Sequence, residues 1–121
     1  MHQKALHFED FETAKKILLE PSPKAQKALG RKVKNFIKEE WDKVNFQIVY
    51  KGNLAKFQQN VYLKEELLGT GHRILVEASP EDRIWGIGMS DYDLTIHDPL
   101  NWKGQNLLGW AITLVKHELM F

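Results

Sequence analysis

The chain has 121 residues and a mass of 14.1 kDa, with 43% hydrophobic residues, 17 Lys and Arg against 16 Asp and Glu, and no cysteine. That is the length of one domain with one core, and it is too apolar for intrinsic disorder. The near-zero net charge announces no nucleic-acid or acidic-membrane partner. Without cysteine there is no disulfide framework, thiolate nucleophile, iron–sulfur cluster or thiolate zinc site. No apolar run approaches the ~20 residues of a membrane span, and the acidic opening MHQKALHFEDFE is unlike a signal peptide. A cytoplasmic location is the expectation.

In chain order, DFETAKKILLE places a cap at Asp10 before Phe11, Ala14, Ile17 and Leu18 at helical spacing, and predicts a short helix ending before Pro21. Ser22 and Pro23 repeat the start signal for a second helix ending at Gly30. Glu39 to Gln59 is long and proline-free, with a solvent stripe at Lys43, Gln47, Lys51 and Gln58. Opposite that stripe, where core is expected, stand Asn45, Asn53 and Lys56, flanked by Trp41, Val44, Ile48 and Ala55 on one side and Phe46, Tyr50 and Phe57 on the other. Such a patch is either a satisfied structural network or a pocket floor for a polar ligand.

A shorter helix, VYLKEELLGTG, stops at its glycines. Ile74 to Ala78 reads as a buried strand with Glu77 at its end, and EDRIWGIGMSDYD as a loop that Gly86 and Gly88 allow to turn tightly. LTIHDPLNWKG reads as an irregular connection. From Gln105 onward, Leu107, Leu108, Ala111, Ile112, Val115 and Leu119 predict a terminal helix with Thr113, Lys116 and His117 on its polar face. The expected fold is a single α+β domain, mainly α-helical, with a small β-sheet.

The five histidines show no metal-ligand spacing, Gly86-Ile87-Gly88 is too short for a dinucleotide fingerprint, and Ser22, Ser79 and Ser90 lack a nucleophile-elbow setting. LVEASPEDRIWGIG brings Glu77 and Asp82 beside Arg83 and Trp85. Paired carboxylates with an aromatic face suit glycosidic-bond cleavage, but the same residues more commonly form a salt-bridged loop around a core tryptophan.

The segments AQKALGRKV, EEWDKV, NLAKFQQN, LLGTG, LVEASPEDRIWGIG and WKGQNLLGWAI, in that order from about Gln3 to the C-terminus, resemble the NADAR domain, or YbiA-like, family. The resemblance implies a mainly helical α+β fold and an N-glycosidase that cleaves between ribose and an amino-substituted base, needing no metal or redox cofactor. Its substrates would be phosphorylated ribosylamino-pyrimidine intermediates of riboflavin synthesis or ADP-ribosyl compounds. Nucleic acid would enter only as an ADP-ribosylated substrate, and no membrane is involved. Position by position, the match makes Glu77 and Asp82 the catalytic carboxylates. It makes Lys4, Trp41, Lys56, Trp85, Gly86 and Asn106 substrate-binding residues, to which the reading of the residues themselves adds Asn53 and Arg83. Family members carry an added N-terminal section with a segment like PTSEHYFQAQK, whose glutamate serves catalysis. This sequence opens at the tail of that segment, with Gln3 and Lys4, so the expectation is an N-terminally truncated NADAR-like domain over residues 1–121. The alternative is a non-catalytic nucleotide-binding or assembly module. Core exposed by missing strands would favour a homo-oligomer or a companion chain.

Overall fold

The computed structural model describes all 121 residues. It contains helices α1 (His2–His7), α2 (Phe11–Leu19), α3 (Pro23–Gly30), α4 (Lys38–Gln59), α5 (Val61–Gly69) and α6 (Leu107–Met120), with 3-10 turns at Leu94–His97 and Pro99–Asn101. The chain forms two compact units, Met1–Ile48 and Val49–Phe121, and the boundary falls inside α4.

In the first unit the caps read from the sequence are present. Asp10 starts α2 by accepting the Thr13 N–H at 3.1 Å, and its other oxygen accepts the Lys34 N–H at 2.9 Å. One carboxylate therefore fixes both a helix start and the chain beyond α3, and these donors hold it well below the usual range, at about 2. Ser22 caps α3 through the Ala25 N–H. Gln26 closes the other end of α2, donating to the carbonyls of Ile17 and Glu20. Helix α1, which has no side-chain cap, contributes Ala5 to a core with Phe8, Ala14, Ile17 and Val33.

In the second unit, Leu67 of α5 and Ala111 and Val115 of α6 are buried, as are Ile87 and Met89 of the loop before α6. The expected α+β fold with a small sheet is corrected here, because the chain contains no strand. Residues 73–79 have no regular secondary structure, and Ile74 and Val76 stand 44% and 37% exposed instead of buried. A strand needs a neighbouring backbone, and here side chains of α6 take that place.

Those side chains overturn a second expectation. Lys116, assigned to the solvent face of the last helix, is buried. Its ammonium donates to the Arg73 carbonyl at 2.6 Å and the Thr70 hydroxyl at 2.9 Å. Burial, with nearby Arg73 adding repulsion, pulls its pKa below the ordinary lysine value.

Candidate functional site

Residues 73–77 lie against α6 through alternate backbone groups. Besides the Arg73 carbonyl on Lys116, the Leu75 N–H meets the Thr113 hydroxyl at 3.4 Å. The Leu75 carbonyl accepts from the Asn106 amide at 3.0 Å, and the Glu77 N–H donates to the Asn106 Oδ1 at 3.0 Å. Asn106 is fully buried and left-handed, with φ of 53°. Asparagine tolerates that conformation better than most residues. The close fit requires Gly109, where a Cβ would overlap the Leu75 carbonyl oxygen.

Beyond Glu77 the chain folds back on itself. The Ile87 N–H reaches the Glu77 carbonyl at 2.9 Å, and the Gly88 N–H reaches the Asp82 carbonyl at 3.1 Å. Both carbonyls crowd the same side of Gly86, where a Cβ would stand 2.9 Å from Glu77 O and 2.8 Å from Asp82 O. Only glycine fits, and the backbone carbonyls of Glu77 and Asp82, five apart in sequence, converge on it. The Asp82 side chain shapes the turn between them, with Oδ1 accepting the N–H groups of Ile84 at 3.0 Å and Trp85 at 2.8 Å.

The carbonyls of this loop are taken up by the chain entering α6. Gln105 N–H donates to Arg83 O, Asn106 to Gly86 O, Leu107 to Ile84 O and Leu108 to Trp85 O, at 2.8–3.1 Å. The first N–H groups of a helix lack partners within it, and here the loop supplies them. With its backbone so satisfied, the loop leaves the Glu77 carboxylate and the Arg83 guanidinium without an intramolecular ion pair or hydrogen bond, beside a half-buried Trp85.

The structure therefore brings together Glu77, Asp82, Arg83, Trp85, Gly86 and Asn106. Within this group Asn106 spends its whole side-chain amide on the backbone of residues 75 and 77. Asn53 bonds the Val49 carbonyl one turn back in α4 at 2.8 Å. Lys56 is exposed, its ammonium 5.3 Å from the Phe57 ring. Lys4 and Trp41 belong to the first unit. There the Lys4 ammonium sits 4.4 Å from the Phe36 ring, and burial followed by repulsion from Arg31 lowers its pKa. Trp41 packs on the core, 6.2 and 6.3 Å from the rings of His7 and Phe8. Sequence reasoning missed Lys116 and Thr113 as supports of the Glu77 segment, because their spacing on α6 matches an ordinary polar face.

Comparison with known proteins identifies the family of the chain. The chain matches the NADAR domain over residues 1–120. It is 43% identical over 118 residues to a protein named as an N-glycosidase from Acanthamoeba polyphaga mimivirus, covering 98% of this chain and 69% of that protein. It is 40% identical over 122 residues to the protein irg-1 of Caenorhabditis elegans, covering 98% of this chain and 57% of that one. The chloroplastic riboflavin biosynthesis protein PYRR of Arabidopsis thaliana is 30% identical over 114 residues, 91% of this chain and 17% of the plant protein. With the signature loop and the GQNLLG segment locked together as described, the chain belongs to the NADAR domain family.

Proposed function

We propose that this chain carries the site of an N-glycosidase acting on a phosphorylated ribosylamino-pyrimidine. The observation that carries the reading is a single hydrogen-bonded loop that holds Glu77, its carboxylate free of any internal partner, on the same short stretch as Asp82, Arg83 and Trp85. The mimivirus relative's name supports the reaction class, and the plant relative's name supports a setting in riboflavin biosynthesis.

In this reaction the bond between the ribose C1′ and the amine nitrogen breaks, and its electron pair leaves with the nitrogen. The cationic sugar that develops is stabilised by carboxylate charge. Glu77, with no internal partner, accepts a proton from a water attacking C1′, and the return of that proton through solvent to the leaving nitrogen completes an amino-pyrimidine and a ribose phosphate. Asp82 holds the turn with one oxygen and adds negative charge with the other. Trp85 offers a face to the base, and Arg83 meets phosphate.

The test is release of ribose 5-phosphate from 5-amino-6-ribosylamino-pyrimidine phosphate, with ADP-ribosyl compounds assayed in parallel. Glu77→Gln keeps the shape and removes the charge, so turnover should fall by roughly two to four powers of ten with the melting temperature little changed. Turnover unaffected by this change would remove Glu77 from the chemistry. Calorimetric binding of the pyrimidine substrate without any release would instead support a binding module.

A further inference from the structure

The side chain and the peptide group of Asn106 belong to one closed circuit of hydrogen bonds. The side chain holds the chain leading into Glu77, with Nδ2 donating to the Leu75 carbonyl and Oδ1 accepting the Glu77 N–H, both at 3.0 Å. The Asn106 N–H donates to the Gly86 carbonyl at 2.9 Å, on the loop that carries Arg83 and Trp85. The circuit closes where the Ile87 N–H meets the Glu77 carbonyl, also at 2.9 Å. Glu77 is thus gripped at its N–H by Asn106 and at its carbonyl by the residue that follows Gly86. Few side chains could close such a circuit. It needs a donor and an acceptor side by side on a short stem, and a backbone at φ 53°, which asparagine tolerates. Gly109 leaves the space, since a Cβ there would overlap both polar atoms of the Asn106 amide.

We propose that Asn106 is the positioning residue of the site, fixing Glu77 relative to Arg83 and Trp85 without touching the substrate. This rests on the N-glycosidase reading, in which the Glu77 carboxylate takes a proton from the attacking water. The role differs from the substrate-binding one implied by the family resemblance, because each polar atom of the amide is engaged by backbone and the residue is fully buried. A general base must stand within hydrogen-bond reach of the water it activates, and misplacing it by about 1 Å costs on the order of a hundredfold in rate. Loss of the amide therefore slows turnover, while affinity for the substrate stays with Arg83 and Trp85.

Asn106→Gly removes the amide and keeps the positive φ. Its kcat for release of ribose 5-phosphate from 5-amino-6-ribosylamino-pyrimidine phosphate should fall about tenfold to a hundredfold, with KM within about threefold of the wild-type chain. In a Glu77→Gln background the same substitution should cost no more than about threefold, because a residue acting through the carboxylate has nothing left to position. Hydrogen exchange supplies a readout that needs no substrate. The Glu77 amide should exchange at least about tenfold faster in N106G. The Trp110 amide, bonded to the Asn106 carbonyl at 3.0 Å, should stay protected and show that α6 is intact. If N106G does not fold, Asn106→Asp takes its place: its protonated carboxyl reproduces both side-chain bonds, so its kcat relative to the wild-type chain should rise as the pH falls. A raised KM with kcat retained, losses that multiply in the double variant, or unchanged Glu77 exchange would overturn the positioning role. Absence of release by the wild-type chain, or turnover unmoved by Glu77→Gln, would overturn the N-glycosidase reading and the catalytic role with it, leaving a structural clamp that the exchange measurement still records.

Discussion

Asp10 is one residue asked to hold two pieces of chain, and its titration should report on both. Its folded pKa, about 2, lies below the ordinary 3.8 because the Lys34 and Thr13 donors favour the carboxylate. The stability it contributes is therefore fully present above about pH 4 and is lost as the pH falls through about 2. Asp10→Asn should lower stability at neutral pH and flatten that part of the acid limb, as denaturant titrations at stepped pH would show. Its cap on α2 was legible because the signal is local, three residues from acceptor to donor. The bond to Lys34, 24 positions on, leaves no mark in the sequence. Asn106 divides in the same way. The GQNLLG segment singled it out as a residue that matters, while its actual partners, Leu75 and Glu77, depend on which chain happens to lie alongside.

At the scale of elements, α2 and α3 were legible by cap and periodicity together, α4 and α6 by periodicity alone and α5 by its terminal glycines, whereas α1 carries none of these signals strongly. Ile74–Ala78 has strand composition and strand-like alternation but no neighbouring backbone, and composition is blind to that difference. Lys116 was misread because a polar residue on a helix is ordinarily solvated, and a buried lysine answering a carbonyl is the exception. The glycines in α4 and α6 make the contrast measurable. Gly52 in α4 has open space around its missing Cβ, so Gly52→Ala should stabilise the protein by about 0.5–1 kcal/mol. Gly109 in α6 has none, and Gly109→Ala should force α6 away from the Leu75 carbonyl at a cost of about 1–3 kcal/mol or more. Urea unfolding of the two variants, with opposite signs expected, tests the α6 contact directly.

For the molecule as a whole, order is unevenly distributed. Tyr92, Leu94 and Leu100 are 88–92% exposed, on a stretch held only by short turns and hydrogen bonds among near neighbours. Limited chymotrypsin digestion should cut first between Tyr92 and Leu100. It should spare Trp85, which lies in the loop bonded to the start of α6. First cleavage at Trp85 would mean that the loop opens far more readily than its hydrogen bonds imply. The division of the chain into units at 48/49 was not legible either, because the boundary lies within a continuous helix and no Gly, Pro or polar run marks it.

The loop carbonyls that complete the first turn of α6 have a dynamic consequence. A mobile lid needs a hinge on each side and little to lose on opening. Here, swinging Trp85 outward would strip the amides of Asn106, Leu107 and Leu108 together, unravelling a helix start along with the loop. Gating by this segment is thereby disfavoured. Under the N-glycosidase reading proposed above, a substrate reaching Glu77 meets groups already in position, and discrimination rests on fit to a standing surface rather than on closure around the ligand.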